Sequence, residues 1–378
     1  MNILITDKYK EGLRKSFLAG EASLDRARGE LKLEADLALK RPLRSIVDTP
    51  GKAASGDVHD YYSEAPYWWP DPKNPSGPFI RRDGEIYPGR FDAHRALMEA
   101  MTADFYLLSA AGYLLAKQEY TDRAKEIAAG WFLDEKTRMN PHLDYAQAIT
   151  GVTKGRGIGI IDTVTLIRFM AGMDFFAEDA RMSGTVQALK GWFADYLQWL
   201  DTSKNGIAER DYFNNHANWW NAQSAAYAAF VGDEKMLAAC AERFKTRILP
   251  VQTREDGAFV DELTRTRSLT YCFYNLNAAA ATAEILYHAG IDLWHYETGD
   301  GKSLQKSLDY MLPYYENPYL WRHEQIAGPS IPPQASFCLA AVRLDAKYGV
   351  PTAERAAGRR LFALDNAFGA VMLTEGAV

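Results

Sequence analysis

Apolar positions along the chain recur mainly at steps of three and four. Phe105, Leu108, Ala111 and Leu115 form one such stripe. Leu166, Phe169, Met170 and Met173 form a second, and Leu276, Ala279, Ala283 and Leu286 a third. The strict alternation of a half-buried strand is scarce. Gly112 and Gly130 fall inside or near helix ends, Gly232-Asp233 separates two helical stretches, and Pro351 suits the start of the last one. The pattern predicts helices over 8–40, 92–117, 121–133, 142–150, 158–177, 183–201, 216–231, 233–248, 268–289, 303–315, 333–348 and 351–364. Short turns between consecutive helices predict stacked antiparallel hairpins. The set fits an all-α fold, an (α/α)n toroid or incomplete barrel, better than a four-helix bundle. No low-complexity linker divides the chain, so residues 1–378 are expected to form one domain.

Two long stretches break the helical pattern. Residues 51–91 are rich in Gly, Pro and aromatics, with Tyr61, Tyr62, Tyr67, Trp68 and Trp69 followed by Arg81, Arg82 and Arg90. A loop of this length is uncommon in a compact domain unless it works as a lid or binding wall. Ring faces stack on sugars and guanidinium forks bind carboxylates, so this stretch suits a sugar acid. Residues 316–333 carry Tyr319, Trp321, Arg322 and His323, and read equally as a second wall or as an interhelix loop anchored by its Trp.

Composition narrows the class. The chain is 47% hydrophobic and 24% charged, an ordinary globular balance, and its net charge of -6 argues against a general nucleic-acid binder. An acidic protein can still hold a local basic cleft for a polyanion. Cys240, Cys272 and Cys338 are too scattered for a disulfide framework or zinc cluster, so buried free thiols are expected and no metal. No apolar stretch reaches the ~20 residues needed to span a bilayer. The first residues lack a basic start and a long apolar run, so no signal peptide is visible. The chain as written is expected in the cytoplasm, or outside it if a targeting segment has been trimmed.

Candidate chemistry lies in two places. Asn214-Asn215-His216 opens a helical stretch in which Asn215 would be the N-cap. His216, Trp220, Gln223 and Tyr227 then share one helical face. About fifty residues on come Arg265 and Tyr271, which converge only if Arg265 sits in the turn before a helix that contains Tyr271. Amide, imidazole, guanidinium and phenol together could remove a proton beside a carboxylate without metal or organic cofactor. Each motif taken alone leans toward a cap, a surface pair or a core residue. Arg138, His142 and Gln147 form a further polar patch. Lys154-Gly155-Arg156-Gly157 is no phosphate loop, for no strand precedes it, and reads as a basic substrate loop or a plain turn.

Several of these motifs, in this order between about residues 57 and 296, resemble the alginate lyase family of polysaccharide lyases. They include Tyr-Trp-Trp-Pro-Asp-Pro at 67–72, Arg-Arg-Asp-Gly at 81–84, Asn-Pro-His-Leu at 140–143 and Asn-Asn-His at 214–216. Glu262-Leu263, Arg265-Thr266, Tyr271, Asn275-Leu276 and Asp292-Leu293-Trp294 follow. The resemblance implies an α/α toroid, no cofactor, and an acidic polysaccharide or oligosaccharide as partner. It also implies Asn215, His216, Arg265 and Tyr271 as the catalytic group. Asn215 and Arg265, with His216, would neutralise the C5 carboxylate of a uronate. Tyr271 would protonate the leaving O4, and on a syn route could also take the C5 proton. On an anti route His216 would be the base. Poly-β-D-mannuronate is the expected substrate, with glucuronan as the alternative. Substrate contacts are expected from Tyr61, Tyr67, Trp68, Trp69, Arg81, Arg82, Arg138, His142, Gln147, Arg156, Trp220 and Gln223. Two other classes compete: a glycoside hydrolase using a carboxylate pair from Asp60, Asp71, Asp162, Glu209 and Glu262, and a polysaccharide-binding protein without turnover.

Overall fold

The computed structural model describes residues 2–329 and 331–351, so the helix expected over 351–364 lies outside the described residues except for its first position. The periodic stretches are helices: α1 (Asp7–Ala19), α2 (Asp25–Lys40), α3 (Ala93–Leu114), α4 (Gln118–Phe132), α5 (Leu166–Phe176), α6 (Ser183–Thr202), α7 (Lys204–Arg210), α8 (Asn215–Val231), α9 (Glu234–Arg243), α10 (Leu249–Gln252), α11 (Ser268–His288), α12 (Leu304–Glu316) and α13 (Ala335–Arg343). They pack as an α/α toroid, with α3 against α4 and α5, and α8 against α6, α9 and α11. Among the described residues four short strands form two pairs. β1 (Tyr62–Glu64) runs parallel to β4 (Tyr145–Ala148), and β2 (Trp68–Trp69) antiparallel to β3 (Ile80–Arg81).

Several expected elements differ from those observed. The single helix over 8–40 is two, because Gly20 turns left-handed (φ 71°) and its N–H closes on the Phe17 carbonyl. The helix over 142–150 is the strand β4. Its backbone is drawn out by β1, and Gln147 inside it has a φ of 50°, which no helix holds. The helix over 158–177 begins as a 3₁₀ turn, Gly157–Thr163, before α5. The short α7 has no counterpart in the periodicity; Ser203 caps it by accepting the Gly206 N–H.

The long stretch 51–91 is thus tied down along its middle, by β1 on β4 and by the β2–β3 hairpin. The stretch 316–333 settles as an anchored loop. Trp321 is buried and donates its indole N–H to Ser268 Oγ at 2.8 Å, while the Ile326 N–H bonds the Thr266 carbonyl. That loop buttresses the start of α11. Behind the site, a buried amide ladder joins α8 to α11. Gln252 donates to the Asn214 carbonyl (2.9 Å), Asn275 to Gln252 (3.1 Å) and Asn218 to Asn275 (2.9 Å). Each buried amide satisfies its neighbour, so the two helix starts are fixed relative to one another.

Candidate active site

A cleft of about 550 Å³ opens where α8 and α11 begin. The β2–β3 hairpin contributes Tyr67, Trp68 and Arg81, α3 contributes Arg95, and the segment around β4 contributes Gln147 and Arg156. The α7–α8 junction adds Tyr212, Asn214, Asn215 and His216; the approach to α11 adds Asp261, Arg265, Arg267, Tyr271 and Tyr274. Five arginines face one aspartate along this lining, in a chain whose net charge is -6. The local field favours a polyanion.

The four residues named for catalysis meet here. Asn214, rather than Asn215, caps α8 by accepting the His216 N–H, so Asn215 is the first helical residue. The Glu262 carboxylate, fully buried, accepts both the backbone N–H of Asn215 (2.8 Å) and its side-chain amide (2.7 Å). Burial pushes the Glu262 carboxyl above its ordinary value, against the pull of those bonds. His216 bonds Glu209 through Nδ1 at 2.7 Å, and its ring meets Tyr212 edge-on at 5.3 Å.

Arg265 sits in extended backbone just before α11, the arrangement that convergence with Tyr271 required. Its guanidinium lies 3.8 Å from the centre of the Tyr271 ring. The same fork donates to Asp83, Nε to Oδ2 at 3.1 Å and Nη2 to Oδ1 at 2.9 Å. Arg81 also donates to Asp83 (2.8 Å). Burial would raise the Asp83 carboxyl, but the two guanidinium groups outweigh it and hold it at about 2. Tyr271 shares a 2.6 Å hydrogen bond with Tyr67 of the opposite wall. Burial pushes the Tyr271 phenol well above its usual range; Tyr67 adds to this and Arg265 only partly offsets it.

Of the expected contact residues, Tyr67, Trp68, Arg81, Gln147 and Arg156 line the cleft. Arg156 donates to Gln147 Oε1 (2.8 Å), whose amide in turn donates to Asp162. The others lie elsewhere. Tyr61 is buried in the core, its hydroxyl on Asp162. Trp69 packs on Tyr87 and donates to the Glu85 carbonyl, with Arg82 over its ring. The Arg138 carbonyl takes up His59, and His142 faces Asp60. Trp220 and Gln223 are core residues, Trp220 bonded to the Leu200 carbonyl and Gln223 to Thr163 and Tyr227. The reason is that α8 is buried nearly all round, so a shared face with His216 leads inward rather than into the cleft. Sequence reasoning missed Asp83 and Arg95 as site residues, weighed Glu209 only as a hydrolase acid, and gave Glu262 as a hydrolase acid and as part of a family motif without a partner. Among the described residues no cluster of three His, Cys, Asp or Glu side chains could hold a metal.

A cationic cleft at the helix starts of an α/α toroid, furnished with imidazole and phenol, defines a polysaccharide lyase. The chain belongs to the alginate lyase family, whose sequence profile matches residues 47–321. Among solved structures, an alginate lyase from Bacteroides ovatus superposes with a TM-score of 0.85 at 29% identity, over 98% of each chain. Alginate lyase A1-III from Sphingomonas species A1 matches with a TM-score of 0.53 at 15% identity, over 91% of this chain and 90% of that one. A His-to-Ala variant of A1-III complexed with a tetrasaccharide matches with a TM-score of 0.54, again at 15% identity, over 89% and 87%. These last two share the fold. No curated protein sequence matches.

Proposed function

We propose that the chain cleaves a β-1,4-linked polyuronate by β-elimination, with poly-β-D-mannuronate as the first substrate. The sugar carboxylate is received by Arg265 and Asn215. Arg265 has Nε and Nη2 on Asp83, which leaves Nη1 for the ligand. Asn215 gives one amide hydrogen to Glu262, which leaves the other. Neutralising the carboxylate stabilises the enolate-like intermediate formed when C5 loses its proton. The phenolic oxygen of Tyr271 receives that proton as its own hydrogen passes to the departing O4, while His216 helps to receive the carboxylate. In mannuronate the C5–H and C4–O bonds share a face, so one group can serve both from one side of the ring.

The observation that carries this reading is the convergence of Arg265 and Tyr67 on the Tyr271 phenol. The guanidinium lies 3.8 Å from the ring centre, the hydroxyl shares a 2.6 Å hydrogen bond with Tyr67, and burial keeps the phenol in its neutral form, with a hydrogen to give. The hydrolase alternative is weakened because Glu209 and Glu262 are occupied by His216 and Asn215. Kinship with alginate lyases, one of them solved with a tetrasaccharide, supports the substrate class.

The test is a comparison of polymannuronate, polyguluronate, glucuronan, hyaluronan and pectate. Ultraviolet-absorbing unsaturated ends are expected fastest on polymannuronate. Tyr271→Phe is expected to lose at least ~10²-fold in kcat while still binding oligomannuronate. Wild-type turnover by that variant would sink the assignment. A faster reaction on glucuronan would change the substrate and leave the chemistry standing.

A further inference from the structure

One cation of the cleft is idle in the proposed elimination. Four of the five lining arginines commit their guanidinium groups to partners. Arg265 and Arg81 bond Asp83, Arg95 bonds Glu99 (3.0 Å) and Arg156 bonds Gln147 (2.8 Å). The side chain of Arg267 makes no hydrogen bond or ion pair among the described residues, and its Nε is closed off from water. Asp261, the acid of the same lining, forms no ion pair with it. A half-buried cation with an unbonded N–H is costly. An anion brought to it is held more strongly than in open water.

Arg267 is also held in place from two sides. Its backbone bridges Gln325 of the anchored loop. Beside that bridge the Ser268 N–H bonds the Glu324 carbonyl (3.0 Å) and the Ile326 N–H the Thr266 carbonyl (2.9 Å). On the other side Gly84 of the hairpin lies against the Arg267 stem. With a φ of 76°, a Cβ there would stand 3.3 Å from Arg267 Cγ and 2.5 Å from Thr266 Oγ1. Arg265, two positions earlier, is extended (φ -82°, ψ 151°). The two Cα atoms are therefore at most about 7 Å apart, near the length of one sugar residue.

We infer that Arg267 receives the carboxylate of the uronate next to the one that reacts, so that the cleft selects chains carrying acidic sugars in succession. The terminal nitrogens of a guanidinium form a planar, permanently charged fork that fits a carboxylate. Arg267 takes no part in bond breaking. It binds the neighbouring sugar equally before and during the reaction, so its contribution falls on KM rather than kcat. A neutral sugar at that position leaves the guanidinium unpaired. Polymers with acid on alternate sugars only, such as hyaluronan, are disfavoured for that reason. The inference rests on the reading of the chain as a polyuronate lyase, and holds for either epimer at C2.

The probe is polymannuronate in which a growing share of the carboxyl groups has been reduced to alcohols. On the unmodified polymer Arg267→Gln is expected to raise KM about 10-fold, with kcat changing much less. As the acidic share falls, kcat/KM of the wild type should fall more steeply than in proportion, because two neighbouring acids are needed. Arg267→Gln should fall less steeply than the wild type. Arg267→Lys, which keeps the charge without the fork, should lie between them. A wild-type KM in Arg267→Gln overturns the inference. So does a raised KM with the wild-type steepness, which would give Arg267 a structural role alone. If Arg267→Gln does not fold, the wild type decides: a fall only in proportion to the acidic share overturns the inference. Unsaturated ends on no polyuronate at all would overturn instead the lyase reading on which it rests.

Discussion

At the scale of single residues, three of the proposed actors are held by carboxylates, two of them distant in sequence. His216 is held by Glu209, Asn215 by Glu262, and Arg265 by Asp83, the last pair 182 positions apart. Asp83 makes a clear pH prediction. Its carboxyl is held at about 2, below its unfolded range. A depressed carboxylate contributes stability that is complete above its unfolded pKa and is lost as pH falls through its folded one. Asp83→Asn is therefore expected to cost about 1 kcal/mol at neutral pH, a figure already reduced for solvent screening. The gap in melting temperature from wild type should close as pH drops from about 4 toward 2. A gap that stays constant with pH would mean that the ion pair carries no stability. His216, Arg265 and Tyr271 were legible in the sequence as candidates, because the proposed elimination needs those functional groups. Their partners were not, because nothing in local spacing announces a contact across 47 or 182 positions.

At the scale of elements, period 3.6 was legible wherever a helix has one buried face. It misled in two ways. On α8, buried nearly all round, a stripe could not distinguish cleft from core, and Trp220 and Gln223 went to the core. At 145–148 the local pattern suited a helix, but pairing with β1, more than eighty residues earlier, won. The short α7 had no periodic signal, though it carries Glu209. Its placement depends on Gly157, whose missing side chain admits the Asn205 carbonyl. Gly157→Ala is expected to push α7 away, lowering stability by about 1–3 kcal/mol. It should also lower kcat on polymannuronate, since His216 loses its anchor. Thermal melting and kcat measured on the same preparation check this. An intact rate in a destabilised variant would show that α7 need not be fixed so tightly.

At the scale of the whole molecule, an acidic toroid gathers five arginines on one cleft. The overall charge hid this, because the arginines come from four separate segments that only the fold unites. Attraction of a polyanion to such a cleft is screened by salt. KM for polymannuronate is expected to rise several-fold between low and about 0.5 M salt, with kcat changing much less. A KM indifferent to salt would contradict a charge-steered cleft. The central claim, that bond breaking is elimination, is tested most directly by running the reaction in ¹⁸O-labelled water and weighing the products. The account predicts unsaturated oligosaccharides whose newly formed ends contain no solvent oxygen. Saturated products carrying one labelled oxygen at each cut would contradict it.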